Sequence, residues 1–400
     1  MIRLKTQGFS IVELMVAIVI GMLALMFVTR TMVSFETNRR DSLGGSDSMQ
    51  NGIAAMFTLE NEATQAGWGL NHPLVMGCNA AFSDTQGYQL RNSGGIIPNA
   101  LSPIIINTAA TPGNPDIITF YSGSAFSGSG SYSLATDVAA NTNVIALNDP
   151  TGYGLSRGDV VVIAETNGNC TIAQAAADPA PGFIGATQVA NVNLAGARFS
   201  RAGGVPNVIL ADTNRTKVVN LGPGATLAFR TWSVANGRLM LQSTNVAGTG
   251  AAAQPVVSNI VSLKAQYGFD TRVGAAFTPQ LGMRVGQWSN TLIDADGDGT
   301  IGNAPTGNFR GDFAHVAAIR LAIVARSKEP EKPNPGTGVC DATPAQIQVF
   351  TSVEPVGAIA PPPITLNVAV PGDPVPWQCY HYKVFETIVP LRNIGWSPTI

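Results

Sequence analysis

Residues Gly8 to Val28 read GFSIVELMVAIVIGMLALMFV, an apolar run broken by a single acid, Glu13. About twenty residues at 1.5 Å each make a helix of roughly 30 Å, the thickness of a bilayer's hydrocarbon core. A carboxylate inside such a segment costs about 2.5–3.5 kcal/mol on insertion scales, and acids retained there usually serve a function. Ahead of the run, Met1 to Gly8 carry Arg3 and Lys5 and no acid. By the positive-inside bias this holds the N-terminus in the cytoplasm and sends the remainder outward. A cleaved secretory signal has a shorter apolar region followed by a small-x-small site, whereas this run continues into VTRTMVSFE. A plain membrane anchor accounts for length and orientation and leaves Glu13 without a role.

Beyond Val28 the periodicity predicts that the helix continues. Met49, Ile53, Met56, Ala63 and Ala66 recur at helical steps and are expected to line one face, flanked by Phe57 and Leu59. Each of Gly44 and Gly45 costs about 1 kcal/mol in a helix interior, so a bend or break is expected there. Gly67-Trp68-Gly69 is expected to end the helix. The rod therefore has an apolar half, 9–28, and an amphipathic half, 29–66, the latter packing on a head formed by 67–400.

From residue 70 onward the signals are those of strands. Asp116 to Tyr121, Asp159 to Glu165 and Thr226 to Val234 are rich in β-branched or aromatic residues. Asn236-Gly237 then leads into Arg238 to Gln242, a strong hairpin signal. In IVSLKAQYGFD, Val261, Leu263, Ala265, Tyr267 and Phe269 share one face, while Ser262, Lys264, Gln266 and Asp270 share the other, which predicts a half-buried strand. Val316 to Arg326 sets Ile319, Leu321, Ile323 and Ala325 against Arg320, Val324 and Arg326, and Tyr382 to Leu391 reads as a final strand. The Gly/Ser run from Ser122 to Ser133, the Ala/Gly run 247–253, PEKPNPGTG at 330–338 and the proline-rich 354–376 read as long solvated loops. The fold class is α+β: a long N-terminal transmembrane and rod helix packed on a large antiparallel β-rich head.

At 400 residues, 45% hydrophobic and 12% charged, the chain is core-rich, with a surface that is polar more than charged. A net charge of -2 and 23 scattered Lys and Arg leave no electrostatic footprint for nucleic acid, which is not expected as a partner. His72, His315 and His381 form no HExxH pair and read as structural, and no G-x-S-x-G elbow is read around any serine. Gly297, Gly299 and Gly302 satisfy GxGxxG, but Asp294, Asp296 and Asp298 among them would repel a pyrophosphate. An enzyme is not expected.

Cys78, Cys170, Cys340 and Cys379 all lie on the outward side, where disulfides persist. Three pairings are open. Cys78 with Cys170 and Cys340 with Cys379 is the favoured one, because loop-like sequence flanks each pair and the second would staple the proline-rich excursion to the last strand. Asp294, Asp296 and Asp298, with Gly299 sixth and Thr300 seventh, match the opening of a calcium loop. The twelfth position is Pro305 in place of a bidentate glutamate, so Asp312, the nearest acid, would have to complete the site. Calcium is the candidate cofactor and none is required; the alternative is a solvated acidic turn.

Gly8-Phe9-Ser10 followed by Ile11-Val12-Glu13-Leu14 resembles the class III signal of type IV prepilins, which is cut after the glycine and methylated on the new terminal phenylalanine. The resemblance implies residues 1–8 as leader, Gly8 as the peptidase site, Phe9 as the methylated terminus and Glu13, fifth in the mature chain, as the assembly carboxylate. A neighbouring subunit's terminal ammonium would lower the energy of that acid by pairing with it in hydrocarbon. NGIAAMFTLENEATQAGWGL, NIVSLKAQYGFDT, IRLAIVARS and FETIVPLRN are, more weakly, similar to minor pilins of the PilW class. That implies a protein that helps to initiate pilus assembly and sits near the fibre tip, serving twitching motility and adhesion. Its partners would be the prepilin peptidase/methylase, other minor pilins, the major pilin and a tip adhesin. It would stand single-pass in the inner membrane before assembly, then in the periplasm or extracellular pilus tip. A minor pseudopilin of a type II secretion system is the alternative.

Overall fold

The computed structural model describes residues 10–92, 97–125, 130–138, 142–196, 198–199, 216–302, 311–334 and 336–394. Helix α1 (Ile11–Gln65) runs 55 residues, about 80 Å at 1.5 Å per residue. Its part Ile11–Met32 is apolar and long enough to cross a membrane, and none of it is buried. Thr29 and Thr31 return their hydroxyls to the carbonyls of Leu25 and Phe27 at 2.9 and 3.1 Å, which removes free donors from an apolar surface.

The break expected at Gly44-Gly45 is absent, since the α-helix runs through both residues. A Cβ on Gly45 would meet nothing within 4 Å, so this glycine answers no packing demand, and the turns on either side carry the helix across its modest cost. The buried stripe also differs from the expected one. It consists of Ser48, Gly52, Ala55, Met56, Leu59, Ala63 and Ala66, whereas Met49 and Ile53 are exposed. Small residues were chosen for contact because the helix lies close on a sheet. At its end, Gly67 and Gly69 take φ of +83° and +77°, as the Gly-Trp-Gly triplet foretold. Asn393, from the far end of the chain, donates its Nδ2 to the carbonyl of Ala66 at 3.0 Å.

The head opens with strands β1 (Cys78–Ala81), β2 (Ala100–Leu101), β3 (Ile104–Asn107), β4 (Ile117–Ser122), β5 (Ser131–Ser133), β6 (Val144–Leu147), β7 (Asp159–Ala164), β8 (Asn169–Gln174), β9 (Ala180–Ile184) and β10 (Thr187–Asn193). It continues with β11 (Lys217–Pro223), β12 (Ala228–Ala235), β13 (Arg238–Ser243), β14 (Gln254–Ser258), β15 (Ile260–Phe269), β16 (Gln287–Ser289), β17 (Val316–Arg326), β18 (Gln348–Val349), β19 (Ile364–Thr365) and β20 (Tyr382–Pro390). They form sheets of order β2-β1-β8-β7-β11-β5, β6-β10-β9, β14-β13-β12-β4-β3, β16-β15-β17-β20 and β18-β19. Pairing of the named strands is antiparallel except between β1 and β8. Asn236 and Gly237 take φ of 50° and 69°, the two positive values that a type I′ hairpin between β12 and β13 requires.

The main core joins the second half of α1 to β15, β17 and the β3-β4-β12 region. A second core fills the space between β7, β8 and β11 and the β6-β10 pair, through Val161, Ile163, Val218, Ile145 and Val192. The half-buried reading of β15 and β17 is corrected by a third core. All ten residues of β15 are buried, because Val349, Phe350, Ile364, Leu366 and Val368 lie over Val261, Ala322 and Val324. The proline-rich stretch expected as a solvated loop therefore contributes a lid of apolar side chains. Among the polar residues of this face, Lys264 Nζ donates to Asp116 Oδ1 at 2.5 Å, with both side chains 1% exposed.

Candidate functional site

Glu13 lies in the first turn of α1, where the partial positive charge of a helix N-terminus favours a carboxylate. Around it Ile11, Val12 and Leu14 are exposed at 79, 68 and 56%, and no described residue pairs with it. The arrangement is an apolar rod bearing one acid near its tip. Gly8 and Phe9 lie outside the described residues.

The rod is fixed to the head at several points. Gly52 sits beneath the Phe385 ring of β20, Glu62 accepts from Arg230 Nη1 of β12, and Asn393 caps the last turn. Burial raises the Glu62 carboxyl, and Arg230 works against that rise. The cysteines pair as favoured: Cys78–Cys170 has Cα atoms 5.8 Å apart and Cys340–Cys379 4.8 Å. The first bridge joins the parallel neighbours β1 and β8. The second ties the segment after β17 to the approach to β20. Each contributes about 2–4 kcal/mol by the usual range for such crosslinks.

In the acidic loop, carboxylate oxygens of Asp294, Asp296 and Asp312 lie within 4.8 Å of one another. Asp298 stands outside that cluster and accepts from Thr300 N at 2.7 Å. Asp294 accepts from the amides of Gly297 and Gly299 at 2.9 and 3.0 Å. Asp312, fully buried, accepts from Ala295 and Gly302 at 2.6 and 2.5 Å. Burial pushes the Asp312 carboxyl up to about 6 despite these donors. Three hard oxygen donors at this spacing suit calcium by type, and Asp312 is the distant acid that the sequence named. Gly297, Gly299 and Gly302 take φ of 78°, 85° and 65° and serve the turns of this loop.

Gly154-Leu155-Ser156-Arg157-Gly158 does fit the G-x-S-x-G spacing, contrary to the reading above. It forms turns leading into strand β7, with no helix after the serine, so it lacks the strand-to-helix geometry of a nucleophile elbow. The histidines have structural places. His315 Nδ1 lies 2.8 Å from Asp270 O and its ring stacks on Phe277, His72 Nδ1 accepts from Leu74 N, and His381 pairs with Glu331.

Arg320, on the face opposed to Ile319 and Leu321, is buried, its guanidinium 4.4 Å from the Phe350 ring centroid and 5.1 Å from that of Trp288. Ile364, Leu366 and Val368 alternate at period two. That signal was available to show that an apolar strip covers this face.

An acid-bearing apolar helix is thus continuous with a rod that seats on an antiparallel head, and two family models match the chain. Residues 3–29 match the prokaryotic N-terminal methylation motif. Residues 229–393 match the type IV pilus-assembly protein W, PilW, so the chain resembles a minor pilin of that kind. PilW proteins are structural and not enzymes. The methylation motif implies processing by a prepilin peptidase, assembly with other pilins and anchoring in a membrane. A solved structure, a type IV-like pilin TTHA1219 from Thermus thermophilus, is similar at 13% identity, over 62% of this chain and 89% of that one, with a TM-score of 0.20. No curated protein matches the chain.

Proposed function

We propose that the chain is a minor pilin of a type IV pilus, which helps to initiate assembly and forms part of the fibre tip. The observation that carries this reading is the presence, in one chain, of the methylation motif at 3–29 and the PilW match at 229–393. Cleavage follows Gly8, Phe9 becomes the methylated terminus, and the precursor stands with that end in the cytoplasm. Glu13 then recognises the terminal ammonium of a neighbouring subunit, because each charge is costly in hydrocarbon until paired. Other minor pilins, the major pilin and a tip adhesin are its partners. The acidic loop takes one calcium ion through Asp294, Asp296 and Asp312, where the ion relieves the mutual repulsion of three carboxylates.

Mass spectrometry of the mature N-terminus is the first test: a chain beginning with methylated phenylalanine supports the reading, and one beginning with Met1 ends it. Glu13→Ala should insert in the membrane at least as well and enter fibres poorly, whereas Gly8→Val should leave the precursor uncut. Deleting the gene should remove surface pili and twitching. Loss of exoprotein secretion with pili intact would instead favour a pseudopilin of a type II secretion system.

A further inference from the structure

Three Asn-Gly pairs occur in the sequence, Asn51-Gly52, Asn167-Gly168 and Asn236-Gly237, and they sit in three different backbone settings. Gly52 lies inside α1, where its N–H belongs to the helix ladder. Asn167 stands in the turn between β7 and β8 with its side chain tied at both ends: Nδ2 donates to Glu165 Oε2 at 2.8 Å, and Oδ1 accepts from Asn169 N at 2.9 Å. Gly168 N donates to Glu165 O at 3.4 Å. Asn236 and Gly237 are the two central residues of the hairpin that pairs Ala235 with Arg238. Asn236 is exposed, and among the described residues its side chain makes no hydrogen bond. Neither the carbonyl of Asn236 nor the N–H of Gly237 has a described partner; Gly237 is held through its own carbonyl, which accepts from Ile260 N at 3.1 Å.

The peptide unit joining Asn236 to Gly237 can therefore rotate without loss of a hydrogen bond. Types I′ and II′, the turns favoured in two-residue hairpins, share a positive φ at the first central residue and differ by that rotation. The ψ of the first residue passes from about +30° to about −120°, and the φ of the second from about +90° to about −80°. Glycine accepts both values of φ. In the I′ turn Gly237 N is turned away from the Asn236 side chain. At the II′ value of ψ the Cβ–Cα–C–N torsion closes towards planarity, the arrangement of a five-membered ring completed by Cγ.

We infer that Asn236 is a site of spontaneous deamidation through a cyclic imide, and that the fold protects Asn51 and Asn167 from the same reaction. Gly237 N attacks Asn236 Cγ: the N–Cγ bond forms, the Cγ–Nδ2 bond breaks, and ammonia leaves with the proton that Gly237 N gives up. The missing Cβ of the glycine keeps the approach open. Water then opens the imide. Opening at Cγ gives aspartate, and opening at the main-chain carbonyl carbon gives isoaspartate, in which the chain runs through the side chain. Either product sets a carboxylate next to Arg238 at the tip of the hairpin. Isoaspartate also adds a carbon to the main chain of a two-residue turn, so the Ala235–Arg238 pairing and the bond from Ile260 N to Gly237 O must readjust. Gly52, by contrast, would have to leave the helix, and Asn167 would have to give up both of its side-chain bonds.

The test follows the three pairs in one sample. The full chain in detergent micelles is incubated in warm, mildly alkaline buffer made with oxygen-18 water, digested with trypsin and read by mass spectrometry. Trypsin releases Thr231–Arg238, whose one asparagine is Asn236; fragment spectra assign the site in the longer peptides that hold Asn51 and Asn167. Thr231–Arg238 should take up the isotope with isoaspartate as the larger product, about tenfold or more faster than the other two sites, which must first break hydrogen bonds of the fold. A parallel sample, reduced and unfolded in denaturant, should modify all three pairs at similar rates. Asn236→Gly leaves a Gly-Gly turn suited to the same backbone and should abolish the uptake in that peptide. Equal rates at the three sites of the folded chain, or no uptake at Asn236 over a period in which the unfolded sample reacts, would overturn the inference. So would aspartate without isoaspartate, or the same ranking of sites in the unfolded sample as in the folded one.

Discussion

Gly52 of the rod lies directly under the ring of Phe385, and a Cβ at that position would fall within the ring's van der Waals envelope. The pair defines the closest approach of α1 to β20, and it separates two glycines that look alike in sequence. Gly52→Ala should destabilise the head by about 1–3 kcal/mol through overpacking. Gly45→Ala, which meets nothing within 4 Å, should stabilise the helix by about 1 kcal/mol. Thermal melts of the two variants should therefore move in opposite directions; a shift of the same sign in both would refute the contact.

Lys264 and Asp116 form an ion pair in which both side chains are 1% exposed. Burial raises the Asp116 carboxyl, and Lys264 leads the interactions that hold it down. Lys264→Met removes the cation and leaves a buried acid facing apolar atoms, which should cost about 3–5 kcal/mol. Replacing both partners together with apolar residues of like volume should recover most of that loss. Denaturant midpoints of the single and double variants check it, and a Lys264→Met chain as stable as the parent would show that the pair contributes little.

Burial lowers the His72 imidazole to about 4, and the positive charge of Lys217 adds to the effect. Its Nδ1 accepts from Leu74 N at 3.2 Å, so the neutral ring is the one that fits. Its folded pKa lies below the unfolded value of about 6.5. The stability it contributes is therefore complete above pH 6.5 and is lost as pH falls towards 4, by up to about 3 kcal/mol. Other groups titrate in that window, so the useful measurement is the difference between the parent and His72→Gln. The gap between their melting curves should narrow or reverse in acid, whereas parallel curves from pH 7 to 4 would exclude His72 as a source.

For the acidic loop, calcium titrated into the full chain should give saturable heat and a raised melting temperature. Asp294→Asn with Asp296→Asn should abolish both, and Asp298→Asn should leave most of the binding, since Asp298 lies outside the cluster. Heat that survives the double variant, or no heat at all, would return the loop to a solvated turn.

The anchor, the hairpin at Asn236-Gly237 and the last strand were legible because each is written in local sequence: hydropathy, turn chemistry, period. The break at Gly44-Gly45 was misread because glycine propensity speaks only of an isolated helix. The burial of Lys264, Gln266 and Arg320 was misread for a different reason. Alternation says which residues share a face, and it does not say whether a later segment covers that face. That information lay 30 residues or more away, in Phe350, Ile364 and Leu366. Asp312 was reached from the acidic loop only as the nearest acid. Its role as acceptor for Ala295 and Gly302 depends on how the loop closes.

Asn393 holds the last turn of α1 by its carbonyls, and β17 and β20 form the floor on which the helix rests. The first element made is thus the last to be seated. A nascent chain carries an amphipathic half-helix with no floor and an open C-terminal turn until some 330 further residues have been added to it. Only a complete chain can present a rigid rod. Premature products keep the anchor and lack the clamp, so the membrane gathers finished and unfinished copies alike, and the stiffness of the joint is what tells them apart.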